Sequence, residues 1–244
     1  MKYVLAILLV FCTQAALAAE CENIEFDDAP YSICSVDLTS EQLRLFLYDD
    51  AGDVFGHFSS INRALGETDQ RLGFAMNAGM YHDDRAPVGH YVEAGEELMR
   101  VIPNAGPGNF GLLPNGVFCL RPGRADVFET LNFIDAAPSC DYATQSGPML
   151  VIDGALHPRF LVDSDSRFIR NGVGTSADGK TAIFAISRRP VNFHTFGRLF
   201  LDHLNIDQAL YFDGNVSRLH APDLNRSDPG FRLGPIVGTV EAQN

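Results

Sequence analysis

The chain has 244 residues, 46% of them hydrophobic, and a net charge of −13 from 31 acidic and 18 basic residues. This hydrophobic content is ordinary for a globular core. The excess of acids argues against nucleic acids and anionic membrane surfaces as partners, although one or two local cations suffice to hold a phosphorylated substrate.

Residues 1–19 predict a signal peptide. Lys2 supplies a positive charge, an apolar run extends from Tyr3 to Phe11, and small residues between Ala15 and Ala19 precede the polar Glu20. This order is typical of an export signal, and the apolar run is shorter than the about 20 residues that span a bilayer. We expect cleavage after Ala18 or Ala19, with an uncleaved anchor as the alternative. The mature protein is then periplasmic or secreted and not inserted in a membrane.

Four cysteines follow the predicted signal, which itself contains Cys12. An even number in an oxidising compartment indicates two disulfides. Of the three possible pairings we favour Cys21–Cys34 and Cys119–Cys140, because each closes a short loop and is worth about 3 kcal/mol in the chain-entropy model. Free buried thiols are the alternative. The sequence contains no C-x-x-C motif, so the cysteines do not indicate a zinc site.

Residues 20–244 are expected to form one domain of many short strands and few helices. Alternation of apolar residues and flanking turn residues predict the strands, and the helices are expected near 59–65 and 196–204, where Phe196, Leu199, Phe200 and Leu204 form one stripe. The predicted strands are 43–48, 72–77, 88–92, 117–120, 149–152, 181–187 and 209–213. This pattern indicates an α+β domain on a mixed, largely antiparallel sheet.

Several predicted strands end in small-residue turns that carry a polar group. The turns are Asn77–Tyr81, Gln145–Met149, Arg170–Gly174 and Asp213-Gly214-Asn215. Strand ends hold side chains rigidly, and glycine lets the backbone approach a ligand closely. The simplest interpretation of each motif by itself is a structural turn. Together, however, the four turns could form one pocket.

The motifs Asn77–Tyr81, Pro114–Phe118, Gln145–Leu150 and Tyr211–Gly214 follow one another in the order seen in a known family. The chain resembles the phosphodiester glycosidase family, which includes the animal N-acetylglucosamine-1-phosphodiester alpha-N-acetylglucosaminidase, and most closely its bacterial exported branch. The resemblance extends roughly from residue 73 to residue 237. The animal branch tends to have a second glycine after Asp-Gly, where this chain has Asn215, so the identity of the sugar stays open.

The resemblance implies an enzyme, a hydrolase that cleaves the bond between a sugar's anomeric carbon and a phosphodiester. Ordinary glycosidases use two carboxylates, one of which protonates a poor leaving group. A phosphate is far less basic, with a second pKa of about 6. The minimum set is therefore one carboxylate at the anomeric carbon, one cation for the phosphate, and polar groups for the sugar hydroxyls.

We assign candidate residues to this chemistry. Asp213 is the candidate nucleophile or base, and Arg170 the candidate phosphate ligand, because its guanidinium binds phosphate oxygens in pairs; a structural ion pair is the alternative for Arg170. A second carboxylate is open between Glu93 and Asp153. The candidates for substrate binding are Asn77, Gly79, Tyr81, Gln145, Ser146, Gly147 and Gly214.

We predict no essential metal or other cofactor. His82-Asp83-Asp84 is the densest group of possible ligands, but its spacing matches no zinc motif and favours a surface loop. The partner is expected to be a carbohydrate or a glycosyl-phosphate in the cell envelope, as a small molecule or a polymer. The alternative function is a non-catalytic protein that binds envelope polysaccharide or assists exopolysaccharide assembly.

Overall fold

A computed structural model describes residues 19–214 and 216–243 of the chain. The predicted signal peptide and Cys12 lie outside the described residues, apart from Ala19. The strands in the first part of the chain are β1 (Glu20–Phe26), β2 (Ala29–Asp37), β3 (Gln42–Phe46), β4 (Gln70–Asn77), β5 (Tyr91–Glu93), β6 (Glu96–Met99), β7 (Gly116–Arg121), β8 (Arg124–Glu129) and β9 (Tyr142–Ser146). Those that follow are β10 (Met149–Ile152), β11 (Ala155–Leu156), β12 (Asn171–Thr175), β13 (Thr181–Ser187), β14 (Gln208–Asp213), β15 (Leu219–Ala221), β16 (Arg226–Ser227) and β17 (Ile236–Ala242).

The strands of the described residues form three sheets. Their orders are β1-β2-β13-β12-β14-β10-β11, β16-β15-β4-β17-β3 and β6-β5-β9-β7-β8. Every strand pair between described residues is antiparallel. The α+β class with largely antiparallel pairing is therefore confirmed, although the strands are divided among three sheets and none of the described pairs is parallel.

Three α-helices of the described residues cover parts of the sheets. Helix α1 (Phe58–Gly66) buries Phe58, Ile61 and Leu65, as expected from their spacing on one helical face. Helix α2 (Thr130–Ala136) was not predicted; the Glu129 carboxylate caps it by accepting from the backbone nitrogens of Leu131 and Asn132. Helix α3 (Phe193–Arg198) continues into a π-helical turn at Leu199–His203, so the predicted stripe is helical over most of its length.

One core lies where the three sheets meet. The ring of Phe184 on β13 lies 4.9 Å from that of Phe74 on β4 and 5.9 Å from that of Phe118 on β7, measured between centroids. All three side chains are completely buried. Because each ring belongs to a different sheet, this contact fixes the sheets relative to one another and thereby the strand ends that carry the polar turns.

Two disulfides join the pairs that the sequence favoured. Cys21 and Cys34 lie opposite each other on β1 and β2, and Cys119 on β7 reaches Cys140 in the loop that follows α2. Both pairs are thus local links, one within a hairpin and one between a strand and a neighbouring loop.

Seven of the seventeen described strands were predicted, and these seven differ from the structure mainly in their ends. The strand expected at 88–92 begins only at Tyr91, because Val88 belongs to the loop that lines a cleft. The strand expected at 43–48 ends at Phe46, and Tyr48 instead forms an isolated bridge with Val54. Among the described residues, none of the helices is long and apolar enough to span a bilayer.

Candidate active site

A cleft of about 710 Å³ opens at the ends of β4 and β14. Its walls are the loop from Met80 to Val88, the segment from Pro107 to Phe110, the turn after β14, Phe168, and Phe231 with Arg232. This volume lies within the range of about 300–1,000 Å³ typical of small-molecule sites. Three of the predicted site residues, Tyr81, Asp213 and Gly214, line it.

Asp213 lies at the last position of β14 with its carboxylate at the cleft. Its Oδ1 accepts a hydrogen bond from the backbone nitrogen of Gly214 at 2.6 Å, and its own backbone nitrogen donates to Asn171 Oδ1 at 3.2 Å. The next position has to be glycine, because a Cβ at Gly214 would overlap the Tyr211 hydroxyl. The strand end and this tight turn together fix the carboxylate in place.

Asn77 at the end of β4 is completely buried beside the cleft and does not line it. Its Oδ1 accepts from the backbone nitrogen of Arg218 at 2.9 Å, and its Nδ2 donates to Asn171 Oδ1 at 3.3 Å. Both polar atoms of this amide are therefore engaged within the protein. Asn77 holds the strand ends together, and its contribution to a ligand in this conformation is indirect.

Tyr81 lines the cleft, and several charged side chains act on its hydroxyl. Burial raises the pKa of its hydroxyl, and the Asp213 carboxylate raises it further, whereas Arg85 and Arg218 lower it. The Arg85 guanidinium lies over the Tyr81 ring, 5.4 Å from its centroid, a cation–π contact. One carboxylate and two arginine side chains thus act on the same phenol.

Two arginines that the sequence analysis did not select, Arg85 and Arg232, line the cleft. The Arg85 Nη1 donates to the backbone oxygen of Asp83 at 2.5 Å, and Arg232 Nη2 donates to that of Val54 at 2.6 Å. Neither forms an ion pair with a carboxylate of residues 19–214 or 216–243. In a chain with this excess of acids, two such cations facing one cleft form a site suited to an anion.

Arg85 also has an unusual backbone. Its φ is 77°, a left-handed conformation that is uncommon for a residue with a long side chain. Strained backbone of this kind concentrates at functional sites. Neither arginine belongs to a motif of the sequence: Arg85 lies in the loop that follows the Asn77–Tyr81 motif, and Arg232 is brought to the cleft by the fold.

Arg170 lies outside the cleft wall. Its side chain is 0% exposed; Nε donates to Val191 O and Nη2 to Ser166 O, both at 2.9 Å, and the guanidinium carbon lies 3.6 Å from the centroid of the Phe193 ring. Burial lowers its pKa, and Tyr211 opposes that effect. Within the described residues, Arg170 forms no ion pair with a carboxylate, and its Nη1 has no hydrogen-bond partner.

Tyr211 connects Arg170 to the cleft. Its side chain is buried but forms part of the cleft wall, and the Arg170 guanidinium carbon lies 5.4 Å from its ring centroid. Burial raises the pKa of the Tyr211 hydroxyl, and nearby Arg170 lowers it. That hydroxyl also lacks a partner with hydrogen-bonding geometry in the described part of the chain. A buried cation and a buried hydroxyl therefore lie together, and the Asp213 carboxylate is close enough to raise the pKa of that hydroxyl.

Gln145 and Ser146 also support the site from behind. Gln145 Oε1 accepts from the backbone nitrogens of His90 and Ile102, each at 3.0 Å, and its Nε2 donates to Ile102 O at 2.8 Å. Ser146 Oγ donates to Phe212 O at 2.8 Å. Gln145 thereby fixes the start of the segment that leads to the Pro107–Phe110 wall, and Ser146 fixes the end of strand β14.

Gly79 and Gly147 allow close packing behind the cleft. A Cβ at Gly79 would overlap Thr144 Oγ1, and one at Gly147 would lie 2.6 Å from Asn115 Cβ. Neither glycine lines the cleft. Their role in this conformation is to let the chain around β9 approach its neighbours.

The two acids considered as a second carboxylate lie elsewhere. Glu93 Oε2 accepts from the Tyr91 hydroxyl at 2.8 Å, and Asp153 Oδ1 accepts from Gln208 Nε2 at 2.5 Å. Asp83, in the predicted surface loop with His82, is instead the second acid that lines the cleft. No group of three or more potential metal ligands occurs within the part of the chain that the structure describes.

Comparisons with known proteins give a family profile and a relative in sequence. The phosphodiester glycosidase family profile matches residues 70–228. A protein of Escherichia coli (strain K12), described as uncharacterized protein YigE, is 31% identical over 186 residues, which cover 76% of this chain and 72% of that protein.

Two solved structures have a similar fold. The catalytic domain of zebrafish N-acetylglucosamine-1-phosphodiester alpha-N-acetylglucosaminidase, auto-inhibited by its pro-peptide, matches with a TM-score of 0.59 at 13% identity, over 95% of this chain and 84% of that domain. A hypothetical protein from Synechocystis matches with a TM-score of 0.60 at 12% identity, over 91% of this chain and 61% of that protein.

Proposed function

Because the chain belongs to the phosphodiester glycosidase family, we propose that it is an exported hydrolase that removes a sugar from a glycosyl-1-phosphodiester of envelope glycoconjugates. The observation that carries the proposal is that Asp213 and two arginines without ion-pair partners in the described chain, Arg85 and Arg232, line one cleft. A carboxylate and a pair of cations are what a reacting anomeric carbon and an adjacent phosphate require.

The anionic half of the substrate binds at Arg85 and Arg232. Guanidinium groups bind phosphate oxygens through paired, charge-assisted hydrogen bonds. The buried charge of Arg170 adds to the positive potential behind the cleft. Tyr211 contacts Arg170 and lines the cleft, so its hydroxyl is able to donate a hydrogen bond to the phosphate. Arg170 is in this proposal a positioning residue that acts through Tyr211.

Asp213 serves the sugar half. The carboxylate either attacks the anomeric carbon or takes a proton from an attacking water molecule. In both cases the bond between the anomeric carbon and the phosphate oxygen breaks, the phosphomonoester leaves with that oxygen, and water supplies the new hydroxyl of the sugar. The low basicity of the phosphate makes a strong general acid unnecessary, which agrees with a cleft in which Asp213 and Asp83 are the acids among the described lining residues.

The two disulfides support an oxidising compartment outside the cytoplasm. The proposed location is the periplasm or the extracellular space, with the partner a carbohydrate or a glycosyl-phosphate. The second candidate function is non-catalytic binding of envelope polysaccharide, since the same cleft would hold a sugar without turning it over.

The test is incubation with hexose and N-acetylhexosamine 1-phosphodiesters in water enriched in ¹⁸O. The proposal expects a reducing sugar that carries ¹⁸O and a phosphomonoester that does not. Label in the phosphate would identify a phosphodiesterase instead. Saturable binding of these compounds without any product would favour the polysaccharide-binding function.

A further inference from the structure

Two exposed aromatic side chains of the described chain lie at the cleft. Phe231 is 84% exposed and Phe168 is 44% exposed, and both line the cavity that contains Asp213. Large apolar side chains at a concave surface mark a binding site more often than single ones scattered elsewhere. Phe168 lies on the same side of the cleft as Gly214, because a Cβ at that glycine would lie 3.4 Å from Phe168 Cβ.

Two exposed aliphatic side chains lie on the segment of the chain that leads to Phe168. Leu161 is 70% exposed and Val162 is 63% exposed. Val162 O accepts from Asn192 Nδ2 at 2.8 Å, and the next residue back, Val191, exchanges two backbone hydrogen bonds with Phe168. The backbone at Val162 and at Phe168 is therefore held against the same two consecutive residues. We call Leu161, Val162, Phe168 and Phe231 the apolar rim.

The apolar rim and the cleft arginines together indicate the chemical nature of the group that the phosphate carries besides the sugar. Once the phosphate binds at Arg85 and Arg232, its other substituent leaves the cleft past Phe168 and Phe231. Leucine and valine offer no hydrogen bond and no flat face for a sugar ring, but they bury hydrocarbon well. We propose that the substrate is a sugar phosphodiester of a long-chain alcohol and that the apolar rim binds its hydrocarbon chain.

A whole bilayer is a poorer occupant than a single chain. Asp163 and Asp165 lie in the same segment as Leu161, Val162 and Phe168, and the protein as a whole carries a charge of −13. An anionic lipid surface would repel the two aspartates of this segment and the protein as a whole. The inference rests on the proposed function for its phosphate site, but the affinity of the rim for hydrocarbon is measured without turnover.

Calorimetry with ethyl phosphate and decyl phosphate, below the concentration at which the latter forms micelles, tests the rim directly. Each buried methylene strengthens binding by about fourfold, so decyl phosphate should bind the wild type at least about tenfold more tightly. The double variant Phe168→Ser/Phe231→Ser should lose that preference. The matched control is Leu131→Ser/Ile134→Ser, which changes two exposed apolar residues of α2 away from the cleft and should retain it. Equal affinity of the wild type for both phosphates, or an unchanged preference in the rim variant, would refute the proposal.

Turnover separates this inference from the proposed function. Ethyl, decyl and glycosyl esters of one sugar 1-phosphate are compared in the wild type and the rim variant. Hydrolysis of all three without a preference for decyl would refute the rim proposal and leave the proposed function standing. A preference for the glycosyl ester that is lost in the rim variant would also refute the rim proposal, because the rim would then bind a second sugar and not a hydrocarbon chain. Rim-dependent binding of decyl phosphate with no hydrolysis of any ester would support the rim and contradict the proposed function.

Discussion

Asn171 and Asn77 bind each other across two sheets: Asn171 Nδ2 donates to the Asn77 backbone oxygen at 2.9 Å, and Asn77 Nδ2 donates to Asn171 Oδ1 at 3.3 Å. Asn171 lies at the start of β12 and Asn77 at the end of β4. The same Asn171 Oδ1 accepts from the backbone nitrogen of Asp213. This amide pair therefore links the position of the candidate carboxylate to both sheets.

The amide pair predicts coupling between two distant positions in the sequence. We expect Asn77→Ala and Asn171→Ala each to lower the free energy of unfolding by about 1–3 kcal/mol, because each leaves buried partners without a hydrogen bond. The double variant should lose less than the sum of the two by at least about 0.5 kcal/mol. Urea unfolding of all four proteins measures this cycle, and strict additivity would contradict the coupling.

Asp213→Asn should lower turnover of a sugar 1-phosphodiester by at least about 100-fold, the effect typical of losing an acid–base group. The amide keeps an Oδ1 that is able to accept from Gly214, so the turn and the melting temperature should change little. Asp83→Asn, at the other acid of the cleft, is the matched comparison. A larger loss in Asp83→Asn than in Asp213→Asn would exchange the roles of the two acids.

Tyr211→Phe should raise the KM for a phosphodiester or the inhibition constant of inorganic phosphate by about tenfold, the value of one charge-assisted hydrogen bond. The ring would keep its edge contact with Phe193, whose centroid lies 4.8 Å away. Tyr31→Phe is the control, since Tyr31 is equally buried, lacks a hydroxyl partner in the described chain, and packs on Phe196. Identical kinetic constants in both variants would remove Tyr211 from the phosphate site.

Glu93 predicts a pH-dependent difference in stability. Burial raises the pKa of its carboxyl from 4.5 to about 7, so between these values the folded protein holds a proton that the unfolded chain has released. The contribution of Glu93 to the free energy of unfolding is therefore fully present below pH 4.5 and decreases as the pH rises towards 7. Glu93→Gln removes that loss, so the variant should gain stability over the wild type as the pH rises, by up to a few kcal/mol, about 1.4 kcal/mol for each unit of pKa shift.

Two comparisons isolate the Glu93 effect. Burial also raises the pKa of Glu41 to about 7 and lowers the pKa of His90, His157 and His220, but these groups act equally in the wild type and the variant. Glu96→Gln, at an exposed position of β6, is the control. Parallel stability curves of wild type and Glu93→Gln from pH 4.5 to 7 would contradict the prediction.

Removal of the Cys119–Cys140 disulfide by replacing both residues with serine should cost about 2–4 kcal/mol, through the gain in entropy of the unfolded chain. The bond ties β7 to the loop after α2 and lies on a different element from Asp213. Activity of the remaining folded protein should therefore be retained. Thermal unfolding combined with a turnover assay measures both effects, and a selective loss of activity would mean that the bond shapes the cleft.

The amino-acid sequence by itself determined the local features. Apolar alternation located seven of the seventeen described strands, the helical stripe at Phe196 located α3, and short loop closure selected the cysteine pairs. The Asp213-Gly214 turn at the end of a strand was also predictable, because these features depend on residues that are neighbours in the chain. Whether Gln145, Ser146 and Arg170 face a ligand was not, since their strand-end positions are compatible with either side of the backbone.

Tertiary structure alone decided which residues share the cleft. Phe184, Phe74 and Phe118 pack three sheets against one another, and that packing brings Arg85, Phe168, Phe231 and Arg232 to Asp213 from separate parts of the chain. The same packing buries Arg170 behind Tyr211 and uses the polar atoms of Gln145 within the protein. Such contacts depend on the register and crossing of distant strands, whereas sequence patterns report only the period of each strand and its turns.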